Sequence, residues 1–240
     1  MELIYIYHSG FALLADGFTI VMDYYMDSGS DGTTGVLHDE ILHRPGKFYV
    51  LASHFHPDHF NPEVLKWREV RSDIIYIFSK DILKHKRARQ DDAVWLRKGE
   101  EYHDDTITVK AFGSTDVGVS FLIETMGKKI FHAGDLNNWH WMDESTEEEW
   151  RGYEKNFLYQ IDYIWRQTKE VDVAMFPVDP RLGREYMRGA TQFIEKIKTG
   201  IFIPMHFNPD FEKANAFGVI AREHGVKFVE IKHSGQIIKI

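Results

Sequence analysis

Residues 53–60 read Ser-His-Phe-His-Pro-Asp-His-Phe, and this octet is the most informative stretch of the sequence. It places three imidazoles and one carboxylate within six residues, at His54, His56, Asp58 and His59. The octet follows the apolar run 48–52, which predicts a buried strand. A strand that ends in such a cluster delivers ligands to one edge of a sheet. Imidazole binds zinc, iron, copper or nickel, and carboxylate oxygen also binds harder cations, so the octet predicts a metal site.

The pattern His-x-His-x-Asp-His in the octet resembles the signature of the metallo-β-lactamase superfamily of hydrolases. In that superfamily the first and second His help to bind one metal ion, and the Asp and the third His help to bind a second. The resemblance implies that His54 and His56 serve site one, and that Asp58 and His59 serve site two.

Three further strand ends resemble the superfamily, in the order that it uses. Asp135 follows the predicted strand 128–133, where the family places a metal-bridging carboxylate, and His206 ends the run 201–205, where the family places its last site-two ligand. Asp23 ends the run 19–22, where the family has a carboxylate that supports the site. The resemblance spans nearly the whole chain. It implies one hydrolase domain over residues 1–240, an αβ/βα four-layer sandwich with two mixed β-sheets faced by helices.

One departure from the family concerns site one. The superfamily usually supplies a third site-one His between the octet and the bridging Asp, but the corresponding stretch 111–116 contains none. Asp116 or His140 could complete the site, and the sequence does not choose between them. Site two keeps a full set of four, so we expect it to be the tighter site, with the ligands Asp58, His59, Asp135 and His206.

Composition limits the classes of protein that the chain can belong to. With 240 residues, 43% of them hydrophobic, one sizeable core can form. The absence of cysteine leaves only nitrogen and oxygen ligands for a metal. The net charge of −8 argues against nucleic acid as a partner. The first residues do not resemble a secretory signal, and no apolar run approaches the roughly 20 residues that cross a bilayer, so we expect a cytoplasmic location without membrane partners.

Periodicity predicts alternating strands and helices along the whole chain. The strongest helix is predicted over 145–169, with Ser145 and Glu148 as a capping box and an apolar face that includes Phe157, Ile161 and Ile164. Other helices are expected near 62–68, 80–88, 185–198 and 210–224. Strands are expected near 2–7, 11–15, 18–23, 47–52, 73–78, 106–112, 117–124, 128–133, 172–177, 200–205, 226–231 and 235–240.

Several residues outside the motifs are candidates for the pocket. Trp139 and His140 lie between the bridging Asp135 and the long helix, so Trp139 is a candidate substrate contact and His140 a candidate proton donor. Arg181 and Arg184 follow a strand end and could hold a carboxylate or phosphate, since guanidinium pairs bidentately with either. They indicate a small-molecule substrate that could be anionic. His8 and His132 are expected to support the site.

The resemblance implies a metal-dependent hydrolase. A metal-activated hydroxide, oriented by Asp58, would attack a small ester, lactone or phosphoester. We expect one or two zinc ions, with manganese or iron as alternatives. The short build most resembles the lactonase-like branch of the superfamily. A metal-binding relative without hydrolytic activity, a ribonuclease or phosphodiesterase and an iron-dependent redox enzyme stay open as alternatives, and the sequence does not predict an oligomeric state.

Overall fold

Two mixed β-sheets face each other in the computed structural model, which describes residues 1–207 and 209–240. The fourteen strands in these two ranges are β1 Glu2–Tyr7, β2 Gly10–Ala15, β3 Phe18–Met22, β4 Lys47–Ala52, β5 Ile74–Ser79, β6 Val94–Leu96, β7 Glu101–His103, β8 Thr108–Gly113, β9 Val119–Thr125, β10 Lys128–His132, β11 Glu170–Pro177, β12 Lys198–Met205, β13 Lys227–Phe228 and β14 Gln236–Lys239.

Six α-helices and four short 3₁₀ helices accompany the strands in the described residues. The α-helices are α1 Val36–Asp39, α2 Lys80–Lys84, α3 Glu147–Gln167, α4 Arg188–Lys196, α5 Phe211–Ala216 and α6 Gly218–Glu223. The 3₁₀ helices cover Ile41–His43, Pro62–Glu69, Gln90–Asp92 and Pro180–Glu185. Within the described ranges, none of the helices combines the length and the apolar character that a membrane span requires.

The two sheets have related strand orders. The first sheet runs β14-β1-β2-β3-β4-β5-β6 and the second runs β13-β12-β11-β10-β9-β8-β7. The strands from β14 to β3 pair antiparallel and those from β3 to β6 pair parallel. In the second sheet, β7 to β10 pair antiparallel and β10 to β13 pair parallel. Parallel neighbours bring their carboxyl ends to the same edge, so the residues that follow β3 and β4, and those that follow β10 and β12, are placed together.

Alternate residues of the strands bury their side chains on opposite faces of the first sheet. Leu3 and Tyr5 of β1 belong to the core between the sheets, whereas Ile4 and Ile6 pack in a second cluster under the short helices. A strand that is buried on both faces reads as a continuous apolar run, which is why β1 and β4 were recognisable from the sequence. Helices α3 and α4 cover the other sheet with buried side chains that include Phe157, Ile161 and Phe193.

The predicted αβ/βα four-layer sandwich with two mixed sheets is confirmed. Local predictions needed four corrections. The capping box of α3 uses Thr146 and Glu149, one residue later than predicted. The helix predicted near 210–224 is divided into α5 and α6, and the strand predicted over 226–231 pairs only at β13. The edge strands β6 and β7 were not predicted, because three residues are too few to show periodicity.

Candidate metal centre

Loops at the carboxyl ends of strands from both sheets converge at one site. The octet follows β4, and Asp135 and His206 follow β10 and β12. Asp116 lies in the loop before β9, and His8 lies in the turn between β1 and β2. The two sheets are joined here by a hydrogen bond of 2.9 Å from the backbone N–H of Val119 to the carbonyl oxygen of Ser53. The site therefore lies on the seam between the two halves of the fold.

Four side chains form the first group of potential ligands: His54, His56, Asp116 and Asp135. Nε2 of His54 lies 3.1 Å from Nδ1 of His56 and 3.3 Å from Oδ2 of Asp135. Nδ1 of His56 lies 3.4 Å from Oδ2 of Asp116. The structure thus brings Asp116 to the place that the missing third His leaves open. Of the two residues that the sequence offered for this place, only Asp116 reaches it.

Four further side chains form the second group: His8, Asp58, His59 and His206. Oδ2 of Asp58 lies 3.4 Å from Nε2 of His8, and 3.8 and 3.9 Å from the corresponding atoms of His206 and His59. Three of these residues, Asp58, His59 and His206, match the predicted site two. The fourth, His8, had been expected only to support the site.

Asp135 lies between the two groups and faces both. Its Oδ2 points to His54, and its Oδ1 lies 3.0 Å from Nε2 of His59 and 3.2 Å from Nε2 of His206. Burial would raise the pKa of this carboxyl, but the imidazoles of His59 and His206 outweigh burial and hold the pKa well below its ordinary value. One carboxylate placed in this way can serve two cations at once.

The ligand atoms fit a cation because they are otherwise unsatisfied. Within the described residues, Oδ1 of Asp135 and the Nε2 atoms of His8, His59 and His206 are buried, and their close contacts with one another and with Asp58 lack the geometry of hydrogen bonds. Buried polar atoms are nearly always paired, so four such atoms at one point require an explanation. Ligands bound at 2.0–2.1 Å to a tetrahedral zinc ion stand about 3.3 Å apart. The separations of 3.0 to 3.4 Å around Asp135 and within the first group match this value.

Carboxylates behind the site fix the orientation of two imidazoles. The fully buried Asp23 accepts a hydrogen bond of 2.7 Å at Oδ2 from Nδ1 of His59, and another of 2.6 Å from the hydroxyl of Ser53. Ser53 Oγ in turn lies 3.0 Å from Nδ1 of His54. Burial would lower the pKa of His59, but Asp135 and Asp23 raise it well above its ordinary value. Asp23 therefore has the supporting position that the resemblance implied.

Asp179 supports His206 in the same way. Its Oδ2 accepts a hydrogen bond of 2.9 Å from Nδ1 of His206, while Oδ1 accepts from the backbone N–H of Arg181 and caps a 3₁₀ helix. Burial would raise the pKa of Asp179, but His206 and Arg181 lower it to about 2. The contact with His206 is a role that only the tertiary structure reveals.

Backbone strain is concentrated at this site. Six described residues other than glycine have a positive φ, and four of them surround the metal centre: His8 at 56°, Asp23 at 45°, Trp141 at 45° and His206 at 62°. The left-handed region is unfavourable for residues with a Cβ atom, and such conformations persist where the surrounding structure imposes them. The strain therefore marks positions where the direction of the side chain matters more than local stability.

Two glycines allow the loops of the second sheet to approach the octet. Gly118 has a φ of 75°, and a Cβ atom there would collide with the carbonyl oxygen of Ser53 and lie 2.5 Å from Cβ of His54. Gly134 has a φ of 53°, and its Cβ would lie 2.8 Å from the Ser53 side chain. Only glycine satisfies both the conformation and the close approach. The loops that carry Asp116 and Asp135 are thereby pressed against the end of β4.

A cleft of about 410 Å³ opens over the two groups. One wall is aromatic: the rings of Trp139 and Trp141 lie nearly parallel, with centroids 6.3 Å apart, and Tyr153 of α3 adds a ring that is 47% exposed. Trp139 is anchored by a hydrogen bond of 2.8 Å from Nε1 to the carbonyl oxygen of Asp135. The remaining lining residues are His56, Asp58, Thr115, Asp116, Asp135, Arg181 and His206.

Two residues predicted to act at the site do not reach it. His140 is fully buried, with Nε2 bonded to the carbonyl oxygen of Glu185 and Nδ1 accepting from the backbone N–H of Met142. Both ring nitrogens are occupied, so the predicted proton donor instead holds the loop together. The side chain of Arg184 is 89% exposed, pairs with Asp143 and lies outside the lining of the cleft. Of the two arginines, only Arg181 lines the cleft.

His8 is the candidate ligand that the motif interpretation missed. Burial lowers the pKa of its ring to about 4. Its position in the sequence carried a signal, because His8 directly follows β1 just as His54 and His206 follow their strands. The nearby His132 has the supporting role that was expected for both residues: its Nε2 lies 2.8 Å from the carbonyl oxygen of Ser9 and its Nδ1 accepts from Gly134.

Comparisons with known proteins agree with this geometry. The model of the β-lactamase superfamily domain matches residues 2–149. The fold is similar to that of Igni18, a metallo hydrolase from the archaeon Ignicoccus hospitalis, with a TM-score of 0.68 and 19% identity over 99% of this chain and 97% of that one. It is similar to the metallo-β-lactamase fold protein YhfI from Bacillus subtilis, with a TM-score of 0.62 and 10% identity over 99% of both chains.

The fold is also similar to that of CmlA, a diiron β-hydroxylase from Streptomyces venezuelae. The TM-score is 0.70 and the identity 13%, and the match covers all of this chain but 54% of CmlA. A search of the curated proteins finds no match. The solved structures therefore establish the fold, and the family model identifies the family to which the chain belongs.

Proposed function

The chain belongs to the β-lactamase superfamily, and on this premise we propose that it is a metal-dependent hydrolase of a small ester, lactone or phosphoester. The observation that carries the proposal is the convergence of buried, unsatisfied imidazole and carboxylate atoms from both sheets below an open cleft. Bound cations would satisfy these atoms, and the cleft would give a substrate access to them.

The donor atoms favour zinc in at least one position. The first group would hold one ion through His54, His56, Asp116 and Asp135, and the second would hold another through Asp58, His59, His206 and the shared Asp135. Imidazole suits zinc and iron, and carboxylates extend the choice to manganese. When bound, such a cation lowers the pKa of water and polarises the carbonyl or phosphoryl oxygen of a substrate.

The side chains of this protein would orient the reacting water molecule and the imidazoles and would exclude solvent from the substrate. Asp58 lines the cleft with 37% of its side chain exposed, so its carboxylate can orient an attacking water molecule. Asp23 and Asp179 hold His59 and His206 with their Nε2 atoms towards Asp135. The aromatic wall of Trp139 and Trp141 would exclude water from one side of the substrate.

The position of Arg181 beside the cleft favours an anionic substrate. Its Nε and Nη2 atoms donate hydrogen bonds to Asp179, which fixes the guanidinium beside the cleft, yet 65% of its side chain stays exposed. It can therefore pair with a carboxylate or phosphate of an incoming molecule. Among the candidate classes, lactones are the first to test because the sequence most resembles the lactonase-like branch.

Hydrolysis of an aryl ester, a lactone and a phosphodiester tests the proposal, together with elemental analysis of the purified protein. We expect turnover of at least one substrate, loss of turnover on chelation and recovery with zinc or manganese. Asp58→Asn should lower the rate at least about 100-fold, while Asp91→Asn, at an exposed position, should not change it. A metal-loaded protein that hydrolyses none of the three would instead be a metal-binding relative without hydrolytic activity.

A further inference from the structure

We propose that His8 is a ligand of the second cation, so that the two positions of the metal centre differ in the cation that they prefer. The inference rests on the proposed function because it assumes that the centre binds metal. It extends that function by adding a residue from outside the octet and its matching strand ends.

The first argument is the position of the His8 ring. Nε2 of His8 is buried without a hydrogen-bond partner among the described residues, and it lies 3.4 Å from Oδ2 of Asp58. The ring centroid lies 4.2 Å from that of His206 and 5.9 Å from that of His59. One ligand atom from each of His8, Asp58, His59 and His206 lies within 4.8 Å of the other three. These four atoms are therefore close enough to share one cation.

The second argument is that an unfavourable backbone conformation at His8 fixes the position of this ring. His8 has a φ of 56°, in the left-handed region that is unfavourable for residues with a Cβ atom. Its carbonyl oxygen accepts a hydrogen bond of 3.2 Å from the backbone N–H of His206, which itself has a φ of 62°. Two strained histidines are thus tied back to back, with both rings turned towards Asp58.

The third argument is the chemistry of the two donor sets. With His8 included, the second group offers three imidazoles and Asp58, whereas the first offers two imidazoles and Asp116, and both share Asp135. A ligand set rich in nitrogen binds zinc more tightly than manganese, and a larger share of carboxylate oxygen makes the two affinities more similar. The second position should therefore retain zinc most strongly, and the first should accept manganese more readily.

A rival explanation is that His8 only positions Asp58. Variants His8→Gln and His8→Asp distinguish metal binding by His8 from positioning of Asp58. The control is His103→Gln, at an exposed histidine of β7. Zinc and manganese affinities are measured by chelator competition, and the visible absorption of the cobalt-loaded protein reports the nitrogen ligands. Thermal unfolding of the metal-free proteins shows whether each variant folds.

We expect His8→Gln to weaken the tighter zinc site at least about tenfold and to change the cobalt spectrum. His8→Asp should still bind a cation there but should shift the zinc-to-manganese preference towards manganese. Wild-type affinities and spectra in both folded variants would overturn the proposal. The readout is separate from turnover, so a wild-type protein that binds metal without hydrolysing any substrate would overturn the proposed function and leave this inference standing.

Discussion

Nδ1 of His59 lies 2.7 Å from Oδ2 of Asp23, and both side chains are completely buried. The contact links the residue after β3 to the octet after β4, which are neighbouring parallel strands. It leaves only Nε2 of His59 to face Asp135. Asp23 belongs to neither group of potential ligands, yet its hydrogen bond to Nδ1 determines that His59 can bind a cation only through Nε2.

Replacement of Asp23 should therefore weaken metal binding without removing a ligand. We expect Asp23→Asn to lower the affinity of the second group for zinc by about 10- to 100-fold, because the ring of His59 loses its fixed tautomer and orientation. Chelator competition measures the affinity. Asp16→Asn, at an exposed turn, is the control. An unchanged affinity in Asp23→Asn would show that packing alone orients His59.

Asp116 and Asp135 should differ in how many ions their loss removes. Asp116 touches only the first group, whereas Asp135 faces His54 with one oxygen and His59 and His206 with the other. We expect Asp116→Ala to lose the first ion and retain the second, and Asp135→Ala to lose both. Elemental analysis after dialysis gives the metal content per chain. Equal losses in the two variants would contradict the bridging position of Asp135.

Gly118 and Gly127 provide a matched pair for the close approach of the sheets. Their φ angles are 75° and 73°, but a Cβ atom at Gly127 would meet nothing within 4 Å, whereas one at Gly118 would collide with Ser53 and His54. We expect Gly127→Ala to lower the free energy of unfolding by about 1 kcal/mol, from backbone strain alone. Gly118→Ala should lower it by at least about 2 kcal/mol more.

Urea unfolding of the metal-free proteins measures both changes. Gly118→Ala should also weaken metal binding by the first group, since the same loop carries Asp116. Equal destabilisation by the two substitutions would mean that the loop can move away from the octet without penalty.

His38 should make the stability of the protein depend on pH away from the metal centre. Its Nδ1 lies 2.7 Å from Oδ2 of Asp27 and its Nε2 lies 2.6 Å from Oε1 of Glu63. Burial would lower the pKa of His38, but these two carboxylates raise it above its ordinary value of 6.5. A raised pKa in the folded state means that the stabilisation is fully present below pH 6.5 and is lost as the pH rises through the folded value.

We expect His38→Gln to lower the free energy of unfolding by about 1 to 3 kcal/mol at pH 6, and by less at pH 9. Denaturant unfolding at the two pH values measures the difference. His43→Gln, at an exposed histidine nearby, should show neither effect. A loss that is the same at both pH values would mean that His38 is neutral in the folded protein.

Arg181 and Arg184 should respond differently to substitution if the substrate is anionic. Arg181→Gln should raise KM for a carboxylate- or phosphate-bearing substrate about tenfold or more, because a charged hydrogen bond is lost. Arg184→Gln should leave KM unchanged, since its guanidinium pairs with Asp143 outside the cleft. Metal content must be measured in parallel, because Arg181 also contacts the Asp179 that supports His206. Equal KM values for both variants would argue against an anionic substrate.

The sequence predicted the parts of the site that local pattern determines. The octet carries its ligands within one turn, and Asp23, Asp135 and His206 each follow an apolar strand, so their positions could be inferred before any contact was known. His8 and His140 show where this reasoning fails. His140 is close to Asp135 in the chain but turns to the backbone of Glu185, whereas His8 is distant in the chain and reaches Asp58. Only tertiary packing decides between them.

The capping box of α3 shows the same limit at the local level. Ser145 with Glu148 and Thr146 with Glu149 both satisfy the pattern, and the structure uses the second pair. Two adjacent registers are equivalent in sequence, so the surrounding loop selects one of them.

The seam between the sheets also has a consequence for the order of folding. The octet alone offers His54, His56, Asp58 and His59, but Asp135 and His206 arrive only when the second sheet has formed and docked, with Val119 bonded to Ser53. A chain still emerging from the ribosome cannot complete either cation position before residue 206 is available. Binding of both cations is therefore a late step in folding. It would stabilise the docked arrangement of the two sheets.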